Sequence, residues 1–155
     1  MNNAANCFVK DVIIYDAENS AIVAACKNVT FTGVKIKGKD QAKSVHHGFG
    51  CRVQSQDVLF ENFELSGYGQ FDHGISIEDF SLGSAWHNGL IINGCFDTHK
   101  LLPAECIRTN IKVQVAGGNG GAGEAGPQIG TRFVHWGVEV KGTNNIGHFA
   151  DNHFK

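Results

Sequence analysis

The sequence predicts an all-β chain wound as a single-stranded parallel β-helix, a solenoid of about five to six turns. Three observations carry that expectation. Glycine is abundant (20 of 155 residues) while proline is scarce (2), so tight turns are frequent and strand breakers rare. Short runs alternate Val, Ile, Phe and Cys with polar residues and end at Gly, Asn or Asp, which is strand patterning rather than helix patterning. These runs also recur at intervals of 24 to 29 residues, the length of one coil holding two or three short strands.

The plainest repeat sets "KNVTFTGVKIKG" (27–38) against "QDVLFENFELSG" (56–67) at a shift of 29. Asn28 matches Asp57, Val29 Val58, Phe31 Phe60, Val34 Phe63, Ile36 Leu65 and Gly38 Gly67. A strand precedes each copy, "AIVAACKNV" (21–29) and "GCRVQSQDV" (50–58). "GISIEDFSL" (74–82) continues the series 24 residues after Gly50, and "HKLLPAECI" (99–107) follows 25 later. Phe71-Asp72 returns as Phe96-Asp97 at the same spacing of 25, as one coil would give. "GVEVKGTNNI" (137–146) comes after a gap of 38 that holds a Gly-rich stretch, read as a loop (116–127) inserted within one turn. Equivalent positions in successive turns should then lie about 4.8 Å apart. The rival architecture, an antiparallel sandwich, would need hairpin turns every 8–12 residues. Residues 1–155 read as one β-helix domain.

Bulk properties exclude several classes of function. Thirteen basic against fifteen acidic side chains, with no Lys/Arg-rich run, argue against a nucleic-acid partner. Apolar stretches are only a few residues long, so no membrane-spanning helix is expected. "MNNAANCFVK" has neither the charged nor the apolar region of a signal peptide. The five cysteines (7, 26, 51, 95, 106) form no CxxC and read as small buried hydrophobes in a reducing compartment. "GGNGGAGEAG" lacks the GK[ST] ending of a phosphate-binding loop.

The cadence G-φ-x-φ-x-x-x-N-V-x-F-x-N-x-x-φ-x-G, with "HHGFGCRVQSQDVLFENFELSG" and "WHNGLIINGCFDTH", resembles right-handed parallel β-helix proteins of the pectate-lyase-like superfamily. It is most like the bacteriophage tailspike-type members, over most of residues 8–154. The resemblance implies a polysaccharide partner and a glycoside hydrolase or polysaccharide lyase, with a homotrimer and a virion-surface or secreted location. It carries over no catalytic motif residue by residue. Such solenoids have capped ends; no cap helix is legible here, so the expectation is a piece of a longer protein or capping by partner chains.

Columns read down the strands at Gly50, Gly74, His99 and Gly137 place the chemistry. In that register Asp72 and Asp97 are neighbours on adjacent turns, with His135 next, and Arg52 and Glu139 share their face. Two carboxylates stacked that closely would have divergent pKa values, as acid/base cleavage of a glycosidic bond requires. The expected catalytic set is therefore Asp72, Asp97, His73 and His99. The expected saccharide-binding set is Arg52, Lys100, His135, Trp136 and Glu139. Trp86 and Trp136, with Phe49 and Phe71, are candidate sugar platforms, with core packing the favoured reading for the two Phe residues. No HExxH is present, although a histidine base or metal ligand is conceivable; stacked carboxylates could instead bind a cation such as Ca²⁺ through oxygen. A lyase would use a basic residue, for which Arg52, Lys100 and Lys141 qualify. The alternative is a non-catalytic, carbohydrate-binding or structural segment of a homotrimeric fibre, burying outward Phe49 or Trp136 between chains.

Overall fold

The computed structural model describes residues 1–39, 46–114 and 129–142, with the side chains of residues 46–49 and 72 outside the description. The predicted 116–127 insertion therefore lies outside the described residues. Among the described residues twelve strands follow in order: β1 (Ala5–Lys10), β2 (Ile13–Tyr15), β3 (Asn19–Thr32), β4 (Lys35–Gly38), β5 (His46–Glu61), β6 (Glu64–Gly67), β7 (Gln70–Ile77), β8 (Ala85–Ile92), β9 (Gly94–Thr98), β10 (Ile107–Gln114), β11 (Val134–Trp136) and β12 (Glu139–Lys141). Every pairing between them is parallel. The chain is an all-β parallel solenoid with three faces.

The first face stacks the leading halves of β3 and β5, then β7 and β9. The second stacks β1, the trailing halves of β3 and β5, the starts of β8 and β10, and β11. The third runs β2, β4, β6, the ends of β8 and β10, and β12. About four turns are complete, fewer than the expected five to six. The difference has two sources: β1 and β2 supply only part of a first turn, and "GVEVKG" forms a third-face strand rather than opening a new turn.

The core is built of ladders, because identical faces stack identical side-chain columns. On the third face Ile14, Ile36, Leu65, Ile91, Val113 and Val140 form one inward column. On the second, Val9, Phe31, Phe60 and Trp86 are followed by Arg108 and His135. The Phe31 and Phe60 rings stack at 4.4 Å, and Phe60 and Trp86 at 6.3 Å. Trp86 and Phe71 are fully buried, which removes Trp86 as a sugar platform and agrees with core packing of Phe71. Cys26, Cys51, Cys95 and Cys106 are buried free thiols, Cys7 is half-buried, and the described residues hold no disulfide.

Corners between the second and third faces fall on Asp11, Gly33, Asn62, Asn88, Asn110 and Gly137, every one at positive φ. Asn, Asp and Gly tolerate that left-handed conformation best, and Asn88 Nδ2 donates to Asn62 Oδ1 at 2.6 Å along the corner. At Gly137 a Cβ would stand 2.7 Å from Asn110 Oδ1, and at Gly33 closer still to Asp11 Oδ1, so glycine fits where the corner ladder leaves no room for a side chain. Ser55 and Ser81 line the inside of another corner: each hydroxyl accepts a backbone N–H from the preceding turn and donates to a carbonyl there.

The register confirms the shift-29 repeat, with Val29 opposite Val58, Phe31 opposite Phe60, Ile36 opposite Leu65 and Gly38 opposite Gly67. It corrects the later alignment. Phe71 pairs with Gly94 and Ile75 with Phe96, so Asp72, His73 and Gly74 of β7 oppose the single residue Cys95. The offset is 23 residues before this bulge and 21 after it, never the assumed 25: Asp97 lies opposite Ser76, and Phe71-Asp72 is not in register with Phe96-Asp97.

Candidate functional site on the first face

Along β9 the pattern Phe96, Asp97, Thr98 puts Phe96 and Thr98 opposite inward Ile75 and Ile77, and Asp97 on the outer parity shared by Arg52 and Ser76. Asp97 is nonetheless fully buried. His73, carried out by the bulge, brings its Nδ1 to 2.8 Å from Asp97 Oδ2. His99, just beyond the end of β9, brings its Nδ1 to 3.2 Å from the same oxygen. The two imidazoles lie edge to face, centroids 5.1 Å apart, and remain 28% and 21% exposed. Neither Asp97 carboxylate oxygen accepts a hydrogen bond among the described residues, and nor is Ser76 Oγ satisfied.

A chain of charges continues along this face. Arg52 Nε donates to Glu78 Oε1, Lys100 Nζ stands 3.6 Å from both Glu78 Oε2 and Asp79 Oδ1, and Gln54 Nε2 donates to Asp79. Gln54, Ser55, Asp79 and the exposed ring of Phe80 line a polar recess at the end of this chain.

From the inside, Arg108 supports the same strand. Its guanidinium is buried among the rings of Phe96 (4.7 Å), Phe133 (5.1 Å) and Trp86 (5.5 Å). It donates to the Asp97 carbonyl oxygen at 2.6 Å, with longer contacts of 3.4 Å to the Ile75 carbonyl and to Thr98 Oγ1. Burial lowers its pKa to about 10, with nearby Asp97 opposing that fall. A cation held by backbone carbonyls on one side of a strand, with a carboxylate on the other, fixes both the position and the field of Asp97.

The structure thus gathers His73, Asp97, His99, Arg52 and Lys100 on one outer surface and separates the other expected residues from it. Asp72 lies in the β7 bulge rather than opposite Asp97, and its side chain is outside the described set. His135 turns inward opposite Arg108, flanked by Phe96 and Phe133 at 5.6 Å each. Trp136 is exposed on the second face and Glu139 on the third, beside Lys112 and Lys141. The expected column of Asp97 with His135, and the expected sharing of its face by Glu139, fail because 134–136 and 139–141 pair with β10, not β9. Sequence reasoning missed Glu78, Asp79 and Arg108. Arg108 had a legible signal, since it shares the inward parity of Cys106.

Comparison with protein-family models, curated proteins and solved structures gives no match to this chain.

Proposed function

We propose that the chain is a polysaccharide-acting β-helix of the pectate-lyase-like, tailspike type, a glycoside hydrolase or lyase whose working surface is the outer side of the first face. The observation that carries this reading is the convergence of Asp97 with His73 and His99 beside the Arg52–Glu78–Lys100–Asp79 chain. An Asp oxygen against an imidazole Nδ1 favours the tautomer that leaves Nε2 as the acid or base. Two such imidazoles on one carboxylate supply a proton donor and a proton acceptor at one place. The recess by Gln54, Asp79 and Phe80 offers hydroxyl-binding groups and one aromatic platform for a neighbouring sugar. The step from β-helix to saccharide is one of fold analogy. The test is cleavage of a panel of acidic and neutral polysaccharides by wild type, His73→Ala, His99→Ala, Asp72→Asn and Asp97→Asn. Loss of a wild-type activity in folded His99→Ala is the expected result; full activity there removes the reading.

A second reading, the structural segment of a homotrimer, has its own observation. The outer column of the second face runs Phe8, Thr30, Leu59, Ala85, Ile107 and Val134, with Phe8 77% and nearby Trp136 72% exposed. An apolar stripe along a whole face suits lateral association. Light scattering on the same samples separates the readings: a trimer without activity favours this one.

A further inference from the structure

We propose that His73, Asp97 and His99 bind a divalent first-row transition-metal ion, of the zinc or ferrous-iron class, on the outer side of the first face. The proposal takes the three residues of the preceding section and adds a cofactor; with both Nδ1 atoms on the ion, acid/base work would pass from the imidazoles to a water bound there, and the proposal rests on the preceding reading for the substrate but not for the ion.

The donor set comes first. Two imidazole nitrogens and one carboxylate are the ligands of facial sites that leave positions open. Their atoms all lie within 4.8 Å of one another, with two of the three separations at 2.8 and 3.2 Å. Ligands about 2.1 Å from an octahedral ion stand about 3.0 Å apart along an edge, and about 3.4 Å on a tetrahedron. Two edges of the triangle already have the size of an octahedral edge; the third would have to close by rotation of the partly exposed imidazoles.

Burial is the second observation. Asp97 is 0% exposed, and neither of its oxygens accepts a hydrogen bond among the described residues. A buried carboxylate so placed is costly. Arg108 binds the Asp97 carbonyl from the core side rather than the carboxylate. The carboxylate's close contacts are the two imidazole Nδ1 atoms at 2.8 and 3.2 Å, and a divalent ion held among the three groups would compensate the carboxylate charge. Both histidines remain partly exposed, so the ion has a route in and positions facing solvent for water or a sugar oxygen. Two nitrogen donors disfavour Ca²⁺, which takes six to eight oxygens. An ion so held would act as a Lewis acid or lower the pKa of a bound water.

The full chain, stripped with chelator and dialysed, is titrated with Zn²⁺ by calorimetry and with Co²⁺ by visible absorption, Ca²⁺ serving as the control. The expected result is one Zn²⁺ or Co²⁺ per chain, visible Co²⁺ bands, and no Ca²⁺ response. His73→Ala and His99→Ala, both at partly exposed positions and checked by circular dichroism, should each weaken binding beyond the roughly 10–100-fold typical of changes outside the ligand set. Folded wild type that takes up neither ion overturns the proposal, as does binding that persists in the His73→Ala/His99→Ala double variant. Polysaccharide cleavage that survives chelation with no ion bound overturns the ion and leaves the functional reading. One bound ion without any cleavage keeps the ion and removes that reading.

Discussion

Replacing Arg108 with Met should leave the fold at least as stable as wild type while weakening the Asp97 centre. Burial holds the guanidinium down to about 10, a fall worth roughly 3 kcal/mol against the charged form in the folded state. Against this stand one short hydrogen bond to the Asp97 carbonyl, two long contacts, and stacking on three rings. Bonds to a charged group are worth about 1.5–3 kcal/mol and a buried cation–π contact about 2 kcal/mol, so the opposing contributions are close in size. Arg108 Nε also has no hydrogen-bond partner, and the carbonyls it touches lie in strands with parallel partners. Met fills much of the same volume without the desolvation cost. The expected change is therefore between about 0 and +2 kcal/mol in denaturant unfolding at pH 7, whereas Arg108→Ala should lose about 2–4 kcal/mol to the cavity. The sign with pH is also fixed. A base whose folded pKa is lowered makes wild type gain stability relative to the Met variant as pH rises through 10, because the unfolded chain then holds more protons than the folded one. A loss of more than about 2 kcal/mol in Arg108→Met would show that ring stacking and carbonyl bonds outweigh burial, and would refute the reasoning.

Phe60→Ala, in the middle of the ladder and fully buried, should cost about 3–5 kcal/mol in the same assay. A thiol reagent at pH 8 should label Cys7 quickly and the other four only on unfolding. Burial raises the Cys51 thiol strongly and pushes Cys106 up to about 11, so fast labelling of more than one thiol would contradict the buried ladder. Glu64 is held below the usual carboxylate range first by the Ser66 hydroxyl, 2.6 Å away, and then by Lys37 and Lys35. That stability is present above the unfolded carboxylate value of about 4.3 and is lost as pH falls through the folded one. Wild type should therefore exceed Glu64→Gln at pH 7 and converge with it in acid, as followed by thermal melts from pH 7 to 3.

The solenoid was legible because its ladders repeat: Phe31 and Phe60, or Ile36 and Leu65, occupy the same place in adjacent turns and carry the same chemistry. Register failed where the repeat changes length. "GVEVKG" (137–142) was placed as the opening strand of a turn, although its match to "GVKIKG" (33–38) shares the left-handed corner glycine and the third-face strand. That signal was available in the sequence. The β7 bulge was not, because nothing in "GQFDHGISI" distinguishes a regular strand from one carrying three residues against one. Three of the expected residues come together for a reason other than the expected one: Asp97, His73 and His99 meet across a bulge rather than down a column.

The bulge is itself the functional clue. Regular stacking places each outward side chain about 4.8 Å from its counterpart in the next turn, with each residue opposite a single partner. Bulges re-aim side chains and are enriched beside active sites. Here Asp72, His73 and Gly74 stand against Cys95 alone, and the side chain so displaced reaches the buried carboxylate two residues beyond that partner, where His99 also arrives. In a repeat fold the core is where the sequence repeats, and chemistry is best sought where it departs from the repeat. β7 keeps an unbroken register with β5, so the irregularity lies against β9 alone; lengthening β9 by two residues beside Cys95, so that Asp72, His73 and Gly74 each face one residue, should keep the ladders and withdraw His73 from Asp97.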